Sequence, residues 1–314
     1  CGKPLTLNCI SVTPFGLILA LSTYSVRSMT TAVDSAALVA LIRPTMLRQR
    51  IITAVIMVLA VLAALFFAPS WVFTLLAAVV LLAIGGWEAA GLAGVTQPRR
   101  RQLAGLLGFA IGVALAAILI PSDGQGLSLS LLGLTAVGWG AAFLWLANPS
   151  WGTQQFAVKA CLLGLILLGA WLALVQLQAQ SAWLIVWLLA VIGAADVGAY
   201  FTGRHFGGPK LAPRISPGKT WSGVGGGLLA ALLMAPLAAA VLPAPLLSLH
   251  PAALALVGAG LAMVSIGGDL FISLLKRQAG LKDSSHLLPG HGGLLDRLDS
   301  LGAALPFFAL LQMT

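Results

Sequence analysis

Two carboxylates three residues apart, Asp296 and Asp299, flank Arg297 near the end of the chain, and another, Asp269, closes an earlier apolar run. Residues at that spacing share one face of a helix. Hard carboxylate oxygens supplied by two helices suit Mg²⁺, whose other positions are left to water and substrate phosphates. Lys276, Arg277 and Lys282 stand between these acids, with Asp283 beside them. A divalent ion to neutralise developing charge, cations for a leaving group and an in-line nucleophile are the equipment of phosphoryl and nucleotidyl transfer. No activated protein nucleophile is required. His291, within Pro289-Gly290-His291-Gly292-Gly293, is placed either to donate to a phosphate, to act as a general base or to shape a turn. His205 and His286 are weaker candidates, and His250 falls in an expected outer loop.

A second constellation occupies residues 195–223, ADVGAYFTGRHFGGPKLAPRISPGKTWSG. Asp196 and Tyr200 are four apart and so share a helix face. The segment after them is rich in Gly and Pro and carries Arg204, Lys210, Arg214 and Lys219, a composition suited to wrapping N–H groups and positive charge around phosphates. The run Ser216-Pro217-Gly218-Lys219-Thr220 resembles the end of a P-loop, but the upstream Gly and the preceding strand of that motif are missing. An ordinary basic connector is the plain alternative. The stretch is long for one.

The elements that hold these residues must lie in a bilayer. The chain is 60% hydrophobic and 8% charged, with a mean hydropathy of +1.03, and cannot cover its apolar surface as a water-soluble globule. A spanning helix needs about 20 apolar residues. The expected fold is all-α, a polytopic membrane protein of about nine helices, placed near 51–68, 71–90, 103–120, 127–147, 157–177, 182–201, 222–242, 252–275 and 301–314. The last is short and would span fully only by continuing beyond Thr314. Residues 46–181 then form an N-terminal group of transmembrane helices and 182–314 a catalytic region with its loops. Residues 1–45 read as an extension outside the fold, with a cleaved targeting segment or a lipid-modified Cys1 as rival readings.

Charge tests that count. If Arg48 and Arg50 face the cytoplasm, alternate loops should be basic. The loops holding Arg99 to Arg101, Lys159, Arg204 to Lys219 and Lys276 to Arg297 fall on one side, and the opposite loops contain no Lys or Arg. The net charge of +9 therefore reports orientation rather than nucleic-acid binding. Cys1, Cys9 and Cys161 show no CxxC pairing, which leaves neither a disulfide framework nor a thiolate metal site. Only eight acids exist in the chain, so the gathering of Asp196, Asp269, Asp283, Asp296 and Asp299 beside basic loops marks a functional cluster.

The run from Ser273 to Asp299 resembles the signature of the phosphatidate cytidylyltransferases, the CDP-diacylglycerol synthases. Its fixed positions are met by Ser273, Lys276, Arg277, Lys282, Asp283, His291, Gly292, Gly293, Asp296, Arg297 and Asp299. The segments Asp196 to Tyr200 and Lys210 to Trp221 are also similar to that family, and a looser likeness runs from about Met46 onward, including Arg50 and Trp87-Glu88. Two positions depart from it: Ile272 stands where members often carry an acid, and Ser222 where they carry an acid or amide.

The resemblance implies a nucleotidyltransferase of phospholipid biosynthesis that joins CTP to phosphatidate and releases pyrophosphate. It implies Mg²⁺, with a second, monovalent cation as an option. Asp269 and Asp296 are then the principal metal ligands and Asp299 a further ligand or supporting carboxylate. Lys219, Lys276, Arg277, Lys282 and Arg297 are phosphate contacts, with Asp283 and His291 in the catalytic group. Asp196, Tyr200, Lys210, Ser216 and Thr220 fall on the substrate-binding side. The implied setting is the cell's inner (plasma) membrane with the site facing the cytoplasm, membrane lipids and the two substrates as partners, no nucleic acid, and a homodimer as an option. A transporter would instead show internal repeats and mid-span charges, and a related lipid or polyprenol transferase would keep the site and change the acceptor.

Overall fold

The computed structural model describes residues 52–119, 125–243, 250–288 and 292–313. The expected extension over 1–45 and the histidine at 291 lie outside these residues. All nine expected helices are present: α1 Ile52–Phe67, α2 Ser70–Ala93, α3 Pro98–Leu119, α4 Gln125–Leu146, α5 Phe156–Gln180, α6 Ala182–Phe206, α7 Trp221–Val241, α8 Pro251–Gln278 and α9 Leu295–Met313. The seven from α2 to α8 are long and apolar enough to cross a membrane, and α1 is a shorter apolar helix. Three ends differ from expectation by five residues or more. Helix α3 begins at Pro98 rather than 103, α6 continues past 201 to Phe206, and α9 begins at Leu295 rather than 301. In each case charged residues belong to the helix, because a polar turn can leave the apolar layer without breaking its hydrogen bonds.

The helix starts follow local chemistry. Ser181 Oγ accepts from Trp183 N at the start of α6, Thr220 Oγ1 from Gly223 N at the start of α7, and Pro251 takes the first turn of α8, where its missing N–H costs nothing. Helix α2 contains a π-helical stretch, Ala78–Ile84. Each extra residue wound into a helix rotates the remaining turns by about 100°, so this stretch sets the facing of Gly85–Ala93 independently of the first turns.

In lipid, apolar side chains gain little by leaving the solvent, so helices associate through close packing and small residues. Helices α6 and α7 show this. A Cβ on Gly226 would overlap Thr202 Oγ1, and one on Gly227 would sit 2.9 Å from the Ala195 carbonyl oxygen. These glycines bring two backbones together within one chain. The centre of the bundle is filled by Trp139, Trp171, Trp187, Phe271 and Phe308, all fully buried. Trp187 stacks on Phe308 with centroids 5.0 Å apart and donates through Nε1 to the Ala235 carbonyl at 2.9 Å, which ties α6, α7 and α9 together. Ile272 lies within this core.

Between α6 and α7 the long basic segment is a small antiparallel hairpin, β1 Lys210–Ala212 with β2 Ser216–Thr220, pairing Lys210 with Thr220 and Ala212 with Ser216. The sequence reads as irregular loop because Pro and Gly carry little strand preference. The hairpin is held by tertiary contacts. Ile215 is buried beneath it, Arg277 Nε on α8 donates to the Ile215 carbonyl at 3.3 Å, and Trp221 N donates to the Pro209 carbonyl at 3.1 Å.

Candidate active site

The acidic residues sit where α6, α8 and α9 approach one another. Gly268 makes the approach of α9 to α8 feasible: a Cβ there would lie 2.5 Å from the Asp299 carbonyl oxygen. Asp269, the next residue, is thereby brought near Asp299 and also faces Asp196 on α6. Their charges repel, Asp269 against both Asp196 and Asp299, with Lys219 close enough to offset each.

Two cavities meet at this point. One, of about 670 Å³, lies under the hairpin and is lined by Asp196, Tyr200, Arg204, Lys210, Lys219, Thr220 and Asp269 among others. The other, of about 450 Å³, is lined by Asp196, Asp269, Lys276, Asp283, Asp296, Arg297 and Asp299. Asp196 and Asp269 border both. The structure thus joins the two constellations that the sequence presented separately.

The carboxylates differ in what already holds them. Asp269 Oδ2 pairs with Lys219 Nζ at 2.5 Å and Oδ1 accepts from Ser273 Oγ at 3.2 Å, in a setting that keeps 30% of its side chain exposed. Asp299 Oδ1 accepts from Ser300 N at 2.8 Å. Asp296 is occupied on both oxygens: Oδ1 takes Lys276 Nζ at 2.6 Å, and Oδ2 accepts from Ser284 N at 2.8 Å and Gly293 N at 3.0 Å. Its reach back to Gly293 N satisfies an amide just before α9, in the manner of a capping box. Among the described residues no group of three or more His, Cys, Asp or Glu stands ready to hold a metal by itself.

Other polar residues of the two constellations have partners within the protein or lie beside the cavities. Arg277 braces the hairpin and also donates to the Leu281 carbonyl at 3.4 Å. Lys282 is exposed and Ser216 is a hairpin residue, and neither lines the two cavities. Ser222 donates to the Gly207 carbonyl and lies 3.0 Å from Thr220 Oγ1, so it fastens the hairpin to the end of α6. Arg204 donates to Tyr200 Oη at 2.7 Å across one helical turn.

The residue that site-directed reading of the sequence passed over is Glu88. It lies on α2, almost 200 residues from the signature, and only the loose likeness at Trp87-Glu88 touched it. In the structure its carboxylate grips the loop before α9. A single acid inside an apolar run was the available signal.

Comparison with known proteins agrees with the motif. The model of the "Cytidylyltransferase family" matches residues 48–314. A phosphatidate cytidylyltransferase of Pseudomonas aeruginosa is 43% identical over 274 residues, covering 85% of this chain and 97% of the relative. One of Haemophilus influenzae is 35% identical over 300 residues, covering 84% and 98%. One of Brucella suis reaches 55% identity over 120 residues, 38% of this chain and 43% of that protein. With a family model matched across all of the described residues and two relatives covered almost end to end, the chain belongs to the cytidylyltransferase family.

Proposed function

We infer that this multi-pass membrane protein is a phosphatidate cytidylyltransferase, a nucleotidyltransferase that converts CTP and phosphatidate into CDP-diacylglycerol and pyrophosphate. The observation that carries the reading is the junction of the two cavities at Asp196 and Asp269, with a basic hairpin on one side and the Lys276, Asp296, Arg297 and Asp299 cluster on the other.

CTP would occupy the cavity under the hairpin, its triphosphate toward Lys210 and Lys219 and its base toward Tyr200, whose exposed ring offers a stacking face. Lys219 can exchange Asp269 for a phosphate oxygen, since the pair is partly solvated and such pairs are weak. A phosphatidate oxygen then attacks the α-phosphorus, the bond to the bridging oxygen breaks, and pyrophosphate carries the electron pair away. Arg297 and Lys219 face the charge that develops.

The donor set fits Mg²⁺, because crowded carboxylates are eased by a cation, and Mg²⁺ commonly uses one or two carboxylates plus substrate phosphates. Asp269 and Asp299 are the residues to hold it, with Asp196 beside them, and it would supply charge neutralisation at the phosphates. Asp296, with both oxygens committed to protein donors, organises Lys276 and the loop before α9 instead of serving as a principal ligand.

The bias of Lys and Arg toward one set of loops favours a site on the cytoplasmic face of the inner (plasma) membrane, where nucleotides are available. Phosphatidate would enter sideways from the bilayer. A homodimer, which the sequence left as an option, would have to use surfaces other than Gly226 and Gly227, which α6 occupies.

The test is transfer of label from α-labelled CTP into the lipid phase by purified protein in detergent–lipid micelles with phosphatidate and Mg²⁺. Wild type should transfer label, and Asp269→Asn and Asp299→Asn should lose it while folding normally. Absence of transfer by folded wild type, or full activity in both variants, would refute the reading.

A further inference from the structure

We infer that Glu88 is a positioning residue for the transferase reaction: from α2 it fixes the loop before α9, which holds Asp296 and, through Asp296, Lys276 at the cavity. The inference rests on the reading of that acidic cavity as the reacting site.

Glu88 is 1% exposed, so its partners must come from the protein. Four are present. Oε1 accepts from Ser285 Oγ at 2.6 Å and Leu294 N at 2.9 Å, and Oε2 accepts from Ser284 Oγ at 2.9 Å and Leu295 N at 2.8 Å. Two of these donors are backbone amides at the start of α9, where a helix presents unsatisfied N–H groups and partial positive charge. The other two are hydroxyls at the far end of the loop. One carboxylate thus clamps both ends of the segment that contains the glycines of the signature.

Packing leaves no slack. A Cβ on Gly293 would overlap Ser284 Oγ and lie 2.7 and 2.8 Å from the Glu88 oxygens, so this glycine is a close-approach position set by Ser284 and Glu88 together. The connection then continues toward the site. Ser284 Oγ lies 3.1 Å from Asp296 Oδ2, and Ser284 N donates to the same oxygen. The single hydroxyl proton of Ser284 serves one carboxylate at a time, while its amide holds Asp296 in either case. Asp296 in turn holds Lys276 at 2.6 Å, at the wall of the cavity. Glu88, Ser284, Asp296 and Lys276 form one chain of contacts from a distant helix to the site.

Glu88→Gln keeps the volume and removes this match. Whichever way the amide turns, its NH₂ faces one backbone N–H, of Leu294 or Leu295, which cannot reverse its role as a hydroxyl can. The variant should fold, and kcat should fall by about 10–100-fold, the usual loss when a group orienting site residues is removed. KM for CTP should stay near wild type, because the hairpin cavity is untouched. Hydrogen exchange in the apo protein supplies a readout independent of activity: amides of 284–288 and 292–295 should exchange at least about tenfold faster, with those of α6 and α7 unchanged. Should Glu88→Gln yield no folded protein, the double variant Ser284→Ala/Ser285→Ala leaves the carboxylate and the backbone donors in place and should shift kcat and loop exchange in the same direction by less. Wild-type kcat and loop exchange in a folded variant, or faster exchange spread evenly over all helices, would overturn the inference. An active Asp299→Asn protein would instead count against the site assignment, so the two failures are distinct.

Discussion

Replacing Lys276 by Met should destabilise the protein far more than replacing Lys219 by Met, although each lysine pairs with one aspartate at nearly the same distance. The side chains of Lys276 and Asp296 are 11% and 5% exposed, whereas those of Lys219 and Asp269 are 25% and 30% exposed. Removing one partner of a buried pair leaves an uncompensated charge and costs about 3–5 kcal/mol. Asp296 keeps Ser284 N and Gly293 N as donors, which places Lys276→Met near the lower end, about 3 kcal/mol. A partly solvated pair is worth about 1 kcal/mol or less. At roughly 2–4 °C per kcal/mol for a domain of this order of size, Lys276→Met should melt about 6–12 °C below wild type in detergent, and Lys219→Met within a few degrees of it. Both should lose most label transfer, Lys219→Met because it removes a phosphate contact. The assay is thermal unfolding followed by intrinsic tryptophan fluorescence, with transfer measured on the same preparations. Equal melting temperatures for the two variants would refute the claim that burial separates these pairs, and Lys276→Met/Asp296→Asn melting no higher than Lys276→Met would refute the claim that a stranded carboxylate causes the loss.

Chelation should stop transfer by the wild type and added Mg²⁺ should restore it, measured as labelled lipid; transfer that continues after exhaustive chelation would remove the metal from the scheme. On α7, neighbouring glycines should respond oppositely. Gly226→Ala should destabilise by about 1–3 kcal/mol through overpacking against Thr202, while Gly225→Ala, whose Cβ meets nothing within 4 Å, should be neutral or gain up to about 1 kcal/mol from reduced backbone freedom. Thermal melts of the two variants check this.

Much of the architecture was legible in the chain itself. A helix in a bilayer must satisfy its own backbone, so long apolar runs between basic breaks announce their spans directly. The runs around α2 to α8 were each found to within a few residues at most ends, and the Lys and Arg residues sort their loops into two alternating sets. The motif around Lys276, Arg277, Asp296 and Asp299 identified the family, because its residue types and spacing are local in sequence. What the sequence could not rank was which acid does what. Asp296 and Asp299 look alike at three residues' separation, yet only the folded loop shows that Asp296 is filled by Lys276, Ser284 and Gly293. Arg277 likewise gives no sign in the sequence of the Ile215 carbonyl that it reaches across the fold. The hairpin from Lys210 to Thr220 and the Glu88 clamp depend on partners far away in sequence, one of them supplied by α8 and the other by the start of α9. Local composition determined which segments enter the membrane and which chemistry is on offer; the pairing of donors with acceptors, which decides the role of each carboxylate, exists only once distant helices pack.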